Sequence, residues 1–129
     1  MQNRRSLIFI VVLCLGVGGM HFVTGGQYRG PWPDFVNGYL IDLLLPMCVY
    51  LLAQVSLRKH FSVRTSRWLG AGATLLIGGT VEALQGLGFP VFGATFDPWD
   101  LLMYALGTGL GWLLDRLVLD GWERAPGRT

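Results

Sequence analysis

Charge, histidine and cysteine are all scarce in this 129-residue chain. Charged residues make up 14% and hydrophobic residues 52%, against about 25% charged in an average soluble domain. One water-soluble core of this size would still leave much of its surface facing water. Lipid around the outside removes that difficulty. The net charge is only +2, too small for a nucleic-acid partner. The two histidines, His21 and His60, fall on opposite faces of the predicted topology and cannot share a metal. Cys14 and Cys48 each lie inside an apolar run, without metal-type pairing or a disulfide framework, and read as small buried hydrophobes. Val11-Val12-Leu13 before Cys14 lacks the small residues that lipoprotein cleavage needs. No nucleophile with its base, no metal cluster and no phosphate-cradling glycine loop is present, so no metal or other cofactor is expected. Strand-like alternation and internal repeats are also missing.

Four apolar runs are present: Ser6 to about Thr24, Phe35 to about Leu57, Trp68 to Gly88, and Pro98 to Leu119. Each approaches the ~20 residues with which a helix crosses ~30 Å of hydrocarbon. The expectation is a single all-α domain over residues 1–129, a four-transmembrane-helix bundle. A secretory signal peptide is the competing reading of Arg4-Arg5 and Leu7 to Leu15, but the apolar run continues past Gly19 and no A-x-A-like site follows. The tail from Asp120 to Thr129 is polar and expected to fray. Orientation follows from the basic residues. Arg4, Arg5, Arg58, Lys59, Arg64, Arg67, Arg116, Arg124 and Arg128 share one side, and Arg29 alone lies on the other. The positive-inside rule then puts both termini in the cytoplasm of a multi-pass membrane protein. Trp32, Trp68, Trp99, Trp112 and Trp122 mostly mark span ends, where aromatic rings anchor.

Ionisable residues inside apolar runs cost at least ~2.5 kcal/mol on insertion scales and usually face the bundle interior. Asp42, Glu82 and Asp100 qualify, with Gln85 as a further polar group. The predicted topology puts all of them in the outer half of the membrane. On the third run, Ala71, Leu75, Gly78, Glu82 and Gln85 share a helical face, and on the fourth Asp100, Tyr104, Gly107 and Gly111 do so. Gly78 and the Gly107–Gly111 GxxxG spacing permit close helix contact, so the third and fourth spans are expected to pack through these faces. Pro46 cannot bond the carbonyl of Asp42 four residues earlier, which kinks the helix or leaves that oxygen available. Asp97 suits an N-cap, Pro98 the first helical position, and Asp100 the third. His21 reads as an interfacial residue, with a proton relay to Glu82 as the alternative. The expected pocket is therefore Asp42, Glu82, Gln85, Asp97, Asp100 and Tyr104. The inner half offers few polar partners, which counts against a continuous path across the membrane.

Glu82-Ala83-Leu84-Gln85, the short loop after it, then Thr95-Phe96-Asp97-Pro98-Trp99-Asp100-Leu101-Leu102 and Gly107 resemble the VanZ-like membrane proteins. The resemblance covers about Thr80 to Leu114. That family commonly carries Arg where this chain has Ala94, and Asn where it has Tyr104; the missing Arg is the counter-ion for Glu82 and Asp100. The resemblance implies a role at the bacterial cell envelope, including glycopeptide tolerance in the namesake, and no settled reaction. The expected function is a non-enzymatic membrane protein whose outer pocket binds a membrane or envelope lipid, a cell-wall group or a partner protein. One alternative is a proton-linked transporter or channel subunit, which with so few helices needs a homo-oligomer. Another is a membrane-embedded enzyme that uses Glu82 with Asp100 or Asp42 as acid and base.

Overall fold

The computed structural model describes residues 4–24, 27–90 and 97–124. Every regular element among them is a helix: α1 (Arg4–Thr24), α2 (Pro33–Gly38), α3 (Leu40–His60), α4 (Val63–Gly86) and α5 (Pro98–Leu114). A π-helical turn (Asp115–Leu119) and α6 (Asp120–Arg124) continue α5. Three helical stretches are long and apolar enough to cross a membrane: Arg4–Phe22, Leu40–His60 and Pro98–Arg124. The 24-residue α4 spans about 36 Å at the usual helical rise. It is less apolar, since it carries Arg64, Arg67 and Glu82 besides serine, threonine and glycine.

Local chemistry sets the boundaries. The second apolar run does not start its long helix at Phe35. Phe35 belongs to the short α2, and the backbone breaks at Tyr39 before α3 begins. Asn37 explains the break, because its side chain is turned back onto the preceding loop. Its Oδ1 accepts from the Tyr28 N–H at 3.1 Å and its Nδ2 donates to the Tyr28 carbonyl at 3.1 Å. Trp32 enters α2 in the left-handed region, at φ 53°. The third long helix starts at Val63, not Trp68, because the Ser62 hydroxyl caps it by accepting from the Thr65 N–H. Asp97 caps α5 through the Trp99 N–H at 3.0 Å, with Pro98 following. The expected fraying from Asp120 is incorrect as far as Arg124. That stretch is helical, and Asp120 is buried.

The long helices alternate in direction, with α3 at the centre against α1, α4 and α5. Its buried residues Met47, Cys48, Tyr50 and Leu51 join Ile10, Val17, Ala71 and Leu119 in the core. Outside that core the surface is apolar. Leu15, Phe22, Leu76, Ile77 and Leu117 are all more than half exposed.

Two packing expectations are corrected. Gly107 and Gly111 do not serve the contact between α4 and α5; they bring α5 onto α3. A side chain at 107 would collide with the Leu43 carbonyl and Pro46. One at 111 would meet the Tyr50 ring at 2.9 Å and the Met47 carbonyl at 3.2 Å. The α4–α5 contact instead uses Gly78, which lies under the Tyr104 ring. Leu75 also leaves the expected inward face. It is exposed, and Gly70, Ala71, Thr74, Gly78 and Glu82 are buried in its place. Pro46 is buried within α3, which continues through it.

Candidate functional site

The start of α3, the end of α4 and the start of α5 meet at one end of the bundle. Asp42, Glu82, Asp97, Asp100 and Tyr104 come together there, close enough for the carboxyl groups to act on one another. Glu82 lies deepest, 2% exposed. Both of its carboxyl oxygens are shut off from solvent, and among the described residues neither makes a hydrogen bond of normal geometry. The backbone N–H of Asp97 faces it as a weak contact. Asp42, Asp97, Asp100 and Tyr104 are half-buried. Gln85, also half-buried, follows Glu82 by three residues, the spacing of neighbours on one helix face. Tyr39 ties the break before α3 to α5 by donating its hydroxyl to Asp97 Oδ2 at 3.1 Å.

His21 is exposed and within electrostatic reach of Asp42, not placed against Glu82. No Lys or Arg among the described residues forms an ion pair in this cluster. Ala94, Thr95 and Phe96 lie outside the described residues.

A second cluster occupies the opposite, basic end, and the expectation of few polar partners there is incorrect. Asp115 is fully buried, and Arg58 and Asp120 nearly so. Arg58 pairs with Asp115, with Glu123 at 2.7 Å and with Asp120 at 3.3 Å. Arg67 reaches Asp115 at 2.8 Å and Asp120 at 2.6 Å, and Arg124 reaches Asp120 at 3.2 Å. Three arginines therefore balance three carboxylates. The Tyr50 hydroxyl donates to Asp115 Oδ2 at 3.2 Å, and Gln54 Nε2 donates to the Ser66 carbonyl at 3.0 Å. The network thus binds the end of α3, the start of α4, and the turn from α5 into α6.

The π turn makes this possible. In an α-helix, residues five apart point roughly 140° away from each other. The wider π turn, closed by the Asp120 N–H on the Asp115 carbonyl, brings both carboxylates to one side.

Asp115 was accessible to sequence reasoning, because it lies inside the fourth apolar run like the three carboxylates singled out there. Arginine surrounds its end of the chain, however, and there charge ordinarily marks a solvated, orientation-setting end. Among the described residues, no group of three or more His, Cys, Asp or Glu side chains is placed to hold a metal ion.

The two clusters differ in kind. The basic-end network is charge-balanced and hydrogen-bonded, as a structural clamp must be at low dielectric. The acidic end holds several carboxyl groups and no permanent cation, an arrangement that lowers its energy by taking up protons, a cation or an amine. Comparisons of the chain with family models, with curated proteins and with solved structures find no match.

Proposed function

We propose that the chain is a VanZ-like multi-pass protein of the bacterial cytoplasmic membrane. In this reading α4 is the fourth span, both termini are cytoplasmic, and the acidic cluster is an outer pocket for an envelope lipid or a cell-wall group. The observation that carries the reading is Glu82, buried among other carboxyl groups, with the weak contact of the Asp97 N–H as its one backbone donor and no hydrogen bond of normal geometry among the described residues. A group left in that state works against folding by about 1–3 kcal/mol. Intramembrane carboxyls retained at such a cost mark functional sites. With no Lys or Arg in the pocket, its complement is a ligand bearing an ammonium or several hydrogen-bond donors. The VanZ-like resemblance rests on the residues of the Glu82–Gln85 and Asp97–Leu102 segments alone.

The test uses Glu82→Leu and Asp100→Asn in cells whose glycopeptide tolerance depends on this protein. Both variants should reach the membrane at normal levels and lose the tolerance. Purified Glu82→Leu should also be more stable than the parent by about 1–3 kcal/mol, since an unsatisfied buried group has been removed. Tolerance unchanged in both variants ends the pocket reading. Destabilisation by Glu82→Leu would make the carboxyl a structural residue.

One observation favours proton-linked transport as a second reading. Carboxylates inside the fold stand near both ends of the α5 stretch, at Asp100 and Asp115. Between those levels the buried hydroxyls of Thr74 and Thr108 are bonded at 2.8 Å to carbonyls of their own helices, Gly70 and Tyr104. That arrangement offers no relay, and transport ranks second. Proteoliposomes showing pH-gradient-driven uptake that Glu82→Leu abolishes would reverse the order.

A further inference from the structure

Two arginines at the basic end stand outside the balanced network. Arg64, in the first turn of α4, and Arg116, in the π turn, are exposed, and neither forms an ion pair among the described residues. Both line a cleft of about 430 Å³ between α4 and the α5 stretch, with Trp68, Trp112 and the network's Arg67. The two indoles meet edge to face, centroids 4.9 Å apart.

The register of Arg64, Trp68, Trp112 and Arg116 is informative. On α4, Arg64 precedes Trp68 by one turn. On the antiparallel α5 stretch, Arg116 follows Trp112 by one turn. Both cations therefore lie on the same side of the indole pair, toward the basic end. Trp68 is 63% exposed, and its ring continues the apolar outer surface. A cleft with cations at its rim and aromatic rings below matches one amphiphile, a phosphate head joined to an acyl chain. The start of α4 adds backbone N–H groups and the positive end of a helix dipole. Asp115 and Asp120 do not compete for the phosphate, because Arg58, Arg67 and Arg124 already neutralise them with Glu123.

We propose that the cleft between α4 and α5 binds one anionic glycerophospholipid of the inner leaflet, its phosphate held by Arg64 and Arg116 and its chain laid along Trp68. Which leaflet supplies the lipid rests on the orientation proposed above; the site itself does not.

The experiment uses the full chain in a zwitterionic detergent. Native mass spectrometry measures retention of phosphatidylglycerol, with phosphatidylcholine, whose zwitterionic head has no net charge, as the comparison. The parent should keep phosphatidylglycerol preferentially, and Arg64→Gln with Arg116→Gln should weaken retention roughly fivefold per arginine. Arg64→Lys with Arg116→Lys should keep most of it. Arg4→Gln, which removes an exposed cation from α1 near the same end, should change little. Equal loss in Arg4→Gln, or none in the double glutamine variant, overturns the site. Stabilisation by inorganic phosphate equal to that by the lipid overturns the lipid as occupant. Orientation is read separately from Arg64→Cys with Cys14 and Cys48 replaced by serine. An impermeant thiol reagent should label it only in opened cells. Labelling in intact cells would reverse the orientation and leave the lipid result standing.

Discussion

Arg58 touches three carboxylates while only 5% exposed, and one of them, Asp115, has no solvent contact. Removing either partner leaves the network one charge out of balance in a low-dielectric setting, although Asp115 keeps Arg67 and Arg58 keeps Asp120 and Glu123, and costs up to about 3–5 kcal/mol. Arg58→Met and Asp115→Leu are each expected to destabilise by that amount in reversible unfolding from detergent micelles. Combined, they remove one charge of each sign and leave the remaining network balanced. The double variant should recover most of the loss, because apolar groups replace a buried ion pair at little net cost. Additive losses would mean that the cluster is wetter than its burial indicates. Residue identity alone could not have assigned these roles. Arg58 and Arg67 occupy chain positions where solvated, orientation-setting charge is the ordinary expectation, and only Asp115 lies inside an apolar run. Only the register of three helices turns them inward. Glu82 was legible because nothing near it in the sequence can neutralise it.

The helical elements were largely legible, since runs of about 20 apolar residues admit few other structures. Their ends shifted where a side chain captured the backbone, at Asn37 and Ser62. Pairing was less legible. A GxxxG spacing marks a smooth helix face but does not name its partner, and here α3 takes it instead of α4. Substitution can weigh this. Gly107→Ala drives a methyl into the Leu43 carbonyl and should cost about 1–3 kcal/mol through overpacking. Gly109, two residues on, has open space at the same position. Gly109→Ala should be neutral or stabilise by up to about 1 kcal/mol through helix propensity. Comparable losses at both sites would refute the α3–α5 packing.

The π turn supplies a second test. Deleting the exposed Leu117 places Asp115 and Asp120 four residues apart. An ordinary α-helix also puts that pair on one face. The deletion variant should therefore stay folded and keep its ion pairs, whereas Asp120→Ala should not. Failure of the deletion variant to fold would show that the wide turn itself is required.

Across the whole molecule, attachment is uneven. The basic-end network joins α3, α4 and the α5–α6 stretch, and Tyr39–Asp97 with Gly78–Tyr104 joins the same helices at the other end. The ion pairs of Arg58, Arg67 and Arg124 do not include α1. It lies against α3 through Ile10, Val17 and the contact of the Cys14 thiol with the Cys48 carbonyl, and reaches α6 where Phe9 meets Trp122 edge to face. Apart from the weak thiol–carbonyl hydrogen bond these contacts are apolar, and lipid chains can replace the apolar ones, since burial against another helix gains little over burial in hydrocarbon. α1 should therefore open at lower free energy than the other three long helices. Its amides should exchange with deuterium first in detergent, and cleavage at an engineered site after Arg29 should leave the fragment that begins at Gly30 folded with its ion pairs intact. The cut protein should then lose α1 on dilution while keeping phosphatidylglycerol in the α4–α5 cleft. Exchange at one common rate in all four long helices would instead show that contacts of α1 with α3 and Trp122 couple it to the clamp, and that the bundle opens as a single unit.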